Sequence, residues 1–384
     1  MIKVRRQRYD GAIVTITANN NYGNIMQRWA LQTFLKQHGY NFTSYFFYGY
    51  YWRKYLLWQS WLCAVPRYIV LRLFGKSHLY VNAPMYNYRY LSAFCRRRIN
   101  QTTYVPLLHR RYKTYIIGSD QNFNISTIGR EFFASWRVFL LGFVTWPARR
   151  ISYASSFGKS VFTKKDKHIH SDEARRLMQR FDAVAVREPS AVQLAQDFWG
   201  IDAIAVVDPT LLLQKADYDA LIAQPIRPLR AAKPLFYYLL RERKDSKKYR
   251  FMQSVAERMG VDYEGTTGQG WGQLPPVEQW LRGFAEAEFV VTNSFHGTIF
   301  SIINHTDFIT LCATTASGGS VRYVDLLRTL GLEDRLIRED QFGEFDMAQL
   351  RPIDWRQVDR RLSRLQQESR QWLLSQLEGA AHER

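Results

Sequence analysis

Short buried strands that run directly into polar loops and helices are the feature of this sequence that most constrains its fold. Residues 12–17 form an apolar, β-branched run, which predicts a buried strand. Turn-forming residues follow at 19–24, a helical pattern covers 25–38, and a second strand is predicted over 40–47. Two strands joined by a helix pair in parallel, because parallel neighbours need a crossover connection of this kind. The sequence therefore predicts an α/β fold.

The same alternation continues through most of the chain and divides it into two halves. A stretch with several prolines at 215–233 separates the halves and predicts an interdomain linker. We therefore predict an N-terminal domain at 1–215 and a C-terminal domain at 233–345. A long amphipathic helix is predicted at 354–380, and we expect it to pack back across both domains. The other predicted strands are 115–117, 150–154, 183–186, 203–207, 235–239, 289–292 and 308–311, and the other predicted helices are 172–180, 247–259, 277–285 and 298–303.

Residues 50–91 interrupt this alternation of strands and helices. They are rich in aromatic and basic side chains. Between 52 and 74 the apolar and basic residues fall on different faces of a helix, which Pro66 kinks or splits. A basic amphipathic helix with tryptophan can lie on an anionic membrane surface. The alternative interpretation, which we favour on general grounds, is a helical hairpin inserted into the N-terminal domain and packed against it.

The charge and the cysteine content limit the partners and the compartment. The formal net charge is +19, and such a surface attracts phosphates, anionic membranes or nucleic acid. Nucleic acid is disfavoured because the sequence has neither zinc-finger spacing nor an aromatic-glycine RNA-binding motif. Three widely spaced cysteines predict reduced thiols rather than a disulfide framework or a zinc site. With no signal-peptide pattern and no run of about 18 apolar residues, we expect a cytoplasmic protein that binds the membrane, if at all, peripherally at its inner face.

The most informative candidate for catalysis is His296, which lies between a predicted strand and a predicted helix. Histidine can donate or accept a proton near neutral pH. Gly297 allows close approach of the backbone, and exposed amides at a helix start can hold an anion. The neighbouring Ser294 is predicted to contribute to the same substrate site. The alternative is that His296 is structural, as most isolated histidines are.

Other candidates also follow predicted strands directly, where ligands bind in open parallel sheets. Arg187 ends the strand at 183–186, and its guanidinium could bind a carboxylate or phosphate or pair with Glu188. Asp120 could act as a base or orient a sugar hydroxyl, or it could cap a helix. The remaining predicted substrate-binding residues are Asn24, Gly118, Ser119 and Ser155.

Several enzyme classes lack support in the sequence. There is no Walker phosphate loop and no Gly-x-Gly-x-x-Gly after the first strand, which argues against an NTPase or a standard NAD enzyme. There is also no His-Glu-x-x-His motif and no clustered set of metal ligands, so no metal site is predicted.

Six short segments at or near the predicted strand ends occur in order along the chain. They are Asn21-Tyr22-Gly23-Asn24, Gly118-Ser119-Asp120-Gln121, Tyr153-Ala154-Ser155-Ser156-Phe157-Gly158, Arg187-Glu188-Pro189-Ser190, Asp208-Pro209-Thr210 and Ser294-Phe295-His296-Gly297. Taken in this order, they resemble segments of the polysaccharide pyruvyl transferase family. The resemblance covers residues 11 to 333. The family often has tryptophan where this chain has Phe123, so the aromatic character is kept.

The resemblance implies a GT-B-like fold, in which two Rossmann-like domains face each other across a cleft. It implies transfer of a pyruvyl group from phosphoenolpyruvate to a sugar of a glycan, free or lipid-linked, commonly as a cyclic ketal. By the same resemblance, His296 is expected to be the general acid and Arg187 to bind the donor. Asp120 is our own candidate for the base. Phosphoenolpyruvate is a donor substrate, and we expect no cofactor.

Two other functions are compatible with the same sequence. A glycosyltransferase of the same architecture would use a nucleotide-sugar donor, and fold analogy alone does not exclude it. A non-catalytic, membrane-associated assembly factor of a polysaccharide system would keep the basic segment but would not need His296 or Arg187.

Overall fold

The computed structural model describes residues 9–17, 21–46, 89–104, 110–126, 128, 136–159, 161–163, 166–223, 234–267, 274–313 and 321–378. The predicted aromatic and basic insert at 50–91 lies outside these residues, apart from its last three, which begin a helix at Arg89. Both interpretations of that insert therefore stay predictions.

The first half of the chain forms a seven-stranded sheet in which all neighbouring strands are parallel. The strand order is β3-β2-β1-β4-β5-β6-β7. The four residues of β1 and of β4 are all buried, as expected for strands covered on both faces. The strands are β1 (Gly11–Val14), β2 (Phe42–Phe46), β3 (Gln101–Thr103), β4 (Thr114–Ile117), β5 (Arg149–Ser155), β6 (Ala183–Val186) and β7 (Ile204–Ala205). The helices are α1 (Tyr22–Gln37), α2 (Arg89–Arg98), α3 (Trp136–Phe139), α4 (Asp172–Met178), α5 (Ser190–Trp199) and α6 (Lys215–Ile222).

The second half forms a five-stranded sheet, also parallel throughout, in the order β12-β11-β10-β8-β9. Its strands are β8 (Leu235–Tyr238), β9 (Tyr263–Thr266), β10 (Phe289–Thr292), β11 (Asp307–Cys312) and β12 (Leu336–Arg338). Its helices are α7 (Lys247–Met259), α8 (Val277–Glu286), α9 (Phe295–Asn304) and α10 (Val321–Leu330), and α11 (Trp355–Glu378) follows.

Each sheet has a point at which the strand order reverses, and ligands bind preferentially beside such points. In the first sheet β1 lies between β2 and β4, and in the second β8 lies between β9 and β10. The two Rossmann-like domains meet where the start of α1, in the first domain, contacts the start of α9, in the second, because the His296 ring lies against Gly23. The fold predicted from the sequence, α/β with two such domains in a GT-B-like arrangement, is confirmed.

An apolar interface joins the two domains. The Tyr22 ring in the first turn of α1 stacks on Trp280 of α8, with 4.7 Å between ring centroids and 7° between planes. Its hydroxyl donates a hydrogen bond of 2.6 Å to the carbonyl of Pro275. Both rings are fully buried, and they belong to a core cluster that continues through both domains. The two domains therefore share one hydrophobic core at this interface.

The C-terminal helix α11 packs back across both domains, as predicted. Near its start Trp355 stacks on His305 of the second domain, with ring centroids 4.8 Å apart. Near its end Ser369 accepts a hydrogen bond from the backbone of Val207, and the Arg370 guanidinium donates to the carbonyl of Leu212. One helix thus contacts the second domain and then the first.

Three local predictions were wrong, and each has a simple physical reason. Helix α1 begins at Tyr22, within the predicted loop 19–24, because the side chain of Asn21 caps it. Helix α9 begins at Phe295 rather than at 298, because Ser294 caps it in the same way. Residues 215–222 of the predicted linker form α6, where Gln214 and Asp217 make a reciprocal capping box. Residues 224–233 lie outside the part that the structure describes.

None of the helices in the described ranges combines the length and the apolar character that crossing a membrane requires.

We predict that Leu373→Ala destabilises the protein by about 2–5 kcal/mol, since the Leu373 side chain of α11 is fully buried and the substitution leaves a cavity. Urea unfolding followed by tryptophan fluorescence measures the change. Val161→Ala is the control, because Val161 is 73% exposed and its truncation should change stability by less than about 0.5 kcal/mol. Equal effects of the two substitutions would show that α11 does not stabilise the folded chain.

Candidate active site

The carboxylate of Asp208 lies at the centre of the polar residues at the carboxyl end of the first sheet. Its side chain has no exposed area. Oδ1 accepts hydrogen bonds from the Thr210 backbone N–H at 3.0 Å and from the Thr210 hydroxyl at 2.7 Å. Oδ2 accepts from Gln27 Nε2 at 2.6 Å, Arg187 Nη1 at 3.1 Å and Ser119 Oγ at 3.3 Å. One carboxylate thereby connects α1 with the residues that follow β4, β6 and β7.

These contacts keep Asp208 ionised although it is buried. Burial alone raises the pKa of this carboxyl, but the His296 ring, the Arg187 guanidinium and the Gln27 amide outweigh burial. Together they hold the pKa of Asp208 well below its usual range. The site therefore contains a permanent negative charge with fixed donors on both oxygens.

Arg187 lies directly after β6 and is 7% exposed. Its Nε donates to Glu188 at 3.1 Å, so the ion pair considered as an alternative from the sequence is present. Its Nη1 donates to Asp208, and Nη2 has no hydrogen-bond partner among the described residues. Burial alone lowers the pKa of Arg187, whereas Glu188 and Asp208 raise it above the ordinary value. The guanidinium is thus charged, fixed in orientation, and has one nitrogen left to bind a ligand.

His296 is the second residue of α9 and comes from the other domain. Ser294 caps this helix, and its Oγ accepts from the Gly297 backbone N–H at 3.4 Å. The Nε2 atom of His296 lies 3.7 Å from Asp208 Oδ1, beyond hydrogen-bond distance, and has no hydrogen-bond partner in the described part of the chain. The ring lies against Gly23, where any Cβ would overlap it. Glycine at position 23 is therefore required for the ring to reach the first domain.

Asp120 and Asn24 form a second polar pair in the first domain. Asn24 Nδ2 donates to Asp120 Oδ2 at 2.8 Å and to the carbonyl of Ile16 at 2.7 Å. The other carboxylate oxygen of Asp120 accepts from the Gln121 backbone N–H at 2.7 Å. Asp120 has a φ of 113°, which is rare for a residue other than glycine. Such backbone conformations cost about 1–3 kcal/mol and cluster at functional sites.

The other site residues predicted from the sequence contact buried residues of the chain itself. Ser119 Oγ bonds to Asp208 and to Gln27, so it belongs to the carboxylate network. Ser155 donates to the carbonyl of Gly118 at 3.3 Å, and neither residue is exposed. Gly297 packs against Thr292, with no space for a side chain. Direct contact of Ser155, Gly118, Ser294 or Gly297 with a substrate stays a prediction.

Several residues of the site have no strong signal in the sequence. Asp208 stands out only as part of a matching segment, although aspartate before Pro-Thr is a helix-capping pattern. Gln27 lies inside a predicted helix, and no local pattern indicates that it reaches across to Asp208. Arg322 follows no predicted strand directly, yet its guanidinium lies 5.7 Å from the centre of the Phe295 ring. Among the described residues, no group of three or more His, Cys, Asp or Glu side chains could hold a metal ion.

A match over most of the length of this chain shows which protein family it belongs to. The model described as polysaccharide pyruvyl transferase matches residues 21–311, about three quarters of the chain. The chain belongs to the polysaccharide pyruvyl transferase family. The resemblance noted from the sequence is thereby confirmed. No curated protein matches the chain.

Solved structures that resemble the chain include two glycosyltransferases and an epimerase. The E. coli heptosyltransferase WaaC with ADP is 13% identical in sequence and has a TM-score of 0.37. Its alignment covers 85% of this chain and 92% of the heptosyltransferase chain. Arabidopsis thaliana UGT89C1 complexed with UDP-L-rhamnose has 10% identity and a TM-score of 0.45, covering 98% and 99%. UDP-GlcNAc 2-epimerase from Neisseria meningitidis, bound to UDP-GlcNAc, has 8% identity and a TM-score of 0.42, covering 96% and 100%.

We predict that Asp208→Asn lowers the free energy of unfolding at pH 7 by about 3 kcal/mol, because it removes a charge that compensates the buried Arg187. The pKa of Asp208 is lower in the folded state than its unfolded value of about 3.9. The contribution of Asp208 to the free energy of unfolding is therefore complete above about pH 4, and it is lost as the pH falls further. Denaturant unfolding at several pH values measures both effects.

The control is Asp219→Asn, which removes an exposed ion pair with Lys215 and should cost less than about 1 kcal/mol. Asp208 would not be the buried charge on which the site depends if Asp208→Asn lowered the free energy of unfolding no more than this control does. The same conclusion would follow if stability of the variant fell below pH 4 as steeply as that of the unmodified chain.

Proposed function

We propose that the protein transfers a pyruvyl group from phosphoenolpyruvate to a sugar of a glycan, free or lipid-linked, as a cyclic ketal. Membership of the pyruvyl transferase family supports the reaction class. The observation that carries the proposal is the meeting of His296 and Arg187 at one buried carboxylate, although they come from different domains. This arrangement supports a role for His296 as the proton donor and for Arg187 as the anion-binding group.

Arg187 suits the donor because phosphoenolpyruvate carries a carboxylate and a phosphate. The free Nη2 atom can donate a charge-assisted hydrogen bond to either group, whereas Nε and Nη1 are already engaged. Asp208 and Glu188 fix the plane of the guanidinium, so little side-chain entropy is lost on binding. The backbone amides at the start of α9 add positive partial charge nearby.

His296 suits the first chemical step, in which the methylene carbon of the enol gains a proton. The proton leaves Nε2, and the adjacent carbon becomes an oxocarbenium-like centre. A sugar hydroxyl attacks that centre and loses its own proton. The bond between that carbon and the bridging phosphate oxygen then breaks and inorganic phosphate leaves. A second hydroxyl attacks the same carbon, loses its proton to the departing phosphate, and closes the ketal. When the ring carries both protons, its positive charge is stabilised by Asp208, whose Oδ1 lies 3.7 Å from Nε2.

Asp120 is the proposed base for the attacking hydroxyl. Its Oδ2 accepts a hydrogen bond from Asn24, so the carboxylate is held in one orientation. Arg187 is near enough to Asp120 for the two charges to interact. The steps proposed here need phosphoenolpyruvate as donor substrate and no further cofactor.

A peripheral contact with the inner face of the membrane is a further part of the proposal. It is supported by the net charge of +19 and by the aromatic and basic composition of residues 50–91. A lipid-linked acceptor would then be reached at the surface where the protein is bound.

We predict that His296→Asn lowers turnover by about 10²- to 10⁴-fold while leaving donor binding largely intact, because a general acid is lost. Release of inorganic phosphate from phosphoenolpyruvate, measured with a panel of glycan acceptors, is the readout. The matched control is His305→Asn at the end of the same helix. His305 has a φ of 54°, a conformation that asparagine tolerates, so this variant should keep normal turnover. Near-normal activity of His296→Asn would contradict the mechanism.

The donor itself is checked by thermal unfolding with phosphoenolpyruvate, UDP-sugars and GDP-sugars. A ligand at about 100 times its Kd stabilises the native state by roughly 2.7 kcal/mol. We expect stabilisation by phosphoenolpyruvate alone. Stabilisation by a nucleotide sugar alone would replace the proposal with a glycosyltransferase function.

We predict that the full chain sediments with vesicles containing anionic phospholipid at low salt and is released as salt rises, because screening weakens attraction between the basic protein and the lipid headgroups. Vesicles of neutral phosphatidylcholine are the control. Failure to sediment with the anionic vesicles at low salt would rule out the membrane contact.

A further inference from the structure

The first turns of helices α1 and α9 meet where the two domains touch. Gly23 is the second residue of α1, His296 is the second residue of α9, and the His296 ring lies against the backbone of Gly23. The helices are 16 and 10 residues long. Each has a partial positive charge of roughly half a unit at its start, because the peptide dipoles add along the helix axis. Two positive helix ends from different domains are therefore in contact.

The start of α1 leaves two backbone amides without partners. In any helix the first amides have no acceptor within the helix itself. The Asn21 side chain caps the third position, where it accepts a hydrogen bond of 3.4 Å from the amide of Asn24. The amides of Tyr22 and Gly23 donate no hydrogen bond to any residue in the described ranges. Both amides can therefore donate to a ligand.

The start of α9 repeats this arrangement. Ser294 caps its third position, where it accepts a hydrogen bond of 3.4 Å from the amide of Gly297. The amides of Phe295 and His296 have no acceptor in the part of the chain that the structure describes. Neither α9 nor α1 has an acidic side chain in its first turn. The two helix starts thus present four free amides in all.

Three carboxylates belong to the same site, namely those of Asp120, Glu188 and Asp208. None of them accepts a hydrogen bond from the four free amides, because their donors are other side chains and the amides of Gln121 and Thr210. No direct contact with these carboxylates therefore neutralises the positive ends of the two helices.

Two buried side chains also indicate a ligand at this place. His296 and Arg187 are 8% and 7% exposed, yet His296 Nε2 and Arg187 Nη2 have no hydrogen-bond partner among the described residues. The Arg187 guanidinium lies 4.8 Å from the centre of the ring of Phe295, the first residue of α9. Leaving a buried polar atom unpaired is costly, so both atoms favour a bound group that supplies the missing partner.

We propose that the phosphate group of the donor binds between the starts of α1 and α9, where backbone amides from both domains donate to its oxygens, while the donor's carboxylate binds Arg187. This inference rests on the proposed function and adds to it the position of the phosphate and a role for α1. Phosphate suits a helix start because both the free amides and the dipole favour negative charge there. The phosphate then contacts both domains at once, and inorganic phosphate by itself occupies the same place.

The test adds a negative charge at each helix start without removing the cap. Asn21→Asp and Ser294→Asp keep side chains that cap a helix as well as the original ones, so the melting temperature should not fall. Isothermal titration of the full chain measures the binding of phosphoenolpyruvate, inorganic phosphate and pyruvate. Each variant is expected to weaken the binding of phosphoenolpyruvate and phosphate about 10- to 100-fold, the effect of a unit charge at roughly 6–10 Å in protein surroundings. Pyruvate has no phosphate group, so its binding should weaken by a smaller factor.

Asn21→Ser is the matched control, because it changes the same cap without adding a charge. It should bind all three compounds like the unmodified chain. If it loses as much affinity as Asn21→Asp, or if pyruvate binding weakens as much as phosphate binding, the inference is overturned.

Two further outcomes separate the inference from the proposed function. If the unmodified chain binds phosphoenolpyruvate and Asn21→Asp binds it equally well, the inference is overturned and the proposed function stands, even where Ser294→Asp is weakened. If the unmodified chain does not bind phosphoenolpyruvate, both are overturned.

Discussion

The ionised carboxylate of Asp208 is the interaction on which the rest of the site depends. A buried charge is tolerated only when donors surround it, and here Gln27, Arg187 and Thr210 supply hydrogen bonds. The carboxylate has no exposed area, so these hydrogen bonds do not compete with water. Arg187 consequently has a defined orientation, and packing holds the His296 ring 3.7 Å from the same carboxylate. Under the function proposed above this is preorganisation, in which polar groups are oriented before the substrate arrives.

The site also depends on the apolar contact between the domains. Tyr22 stacks on Trp280, and the shared core continues on both sides of that pair. Burying two such aromatic side chains removes several hundred square ångströms from water by a rough estimate. Helix α11 adds contacts with both domains. The distance between Asp208 of one domain and His296 of the other is therefore set by packing, not by the polar groups themselves.

Regular elements could be predicted from the sequence, whereas the polar contacts between distant residues could not. Strand 289–292 matches the structure because it is a short, continuous apolar run, and helix 247–259 matches because its apolar residues recur with the helical period. The starts of α1 and α9 were misplaced because asparagine, serine and glycine favour turns when viewed alone, and only the folded chain shows them capping helices. Arg187 and His296 were found through the strand ends they follow. Gln27 lies 181 residues before Asp208, and no local pattern links them.

The contact between Gly23 and His296 has a consequence for how the family can vary. Position 23 has no tolerance for any side chain while a ring occupies position 296, because the two lie in van der Waals contact across the domain boundary. Sequences that carry a larger residue at the first position must therefore also change the second or shift one domain. The two positions constrain each other's substitutions although 273 residues separate them in the chain. Such a pair of positions seldom changes one at a time, since a change at either position alone disrupts the site.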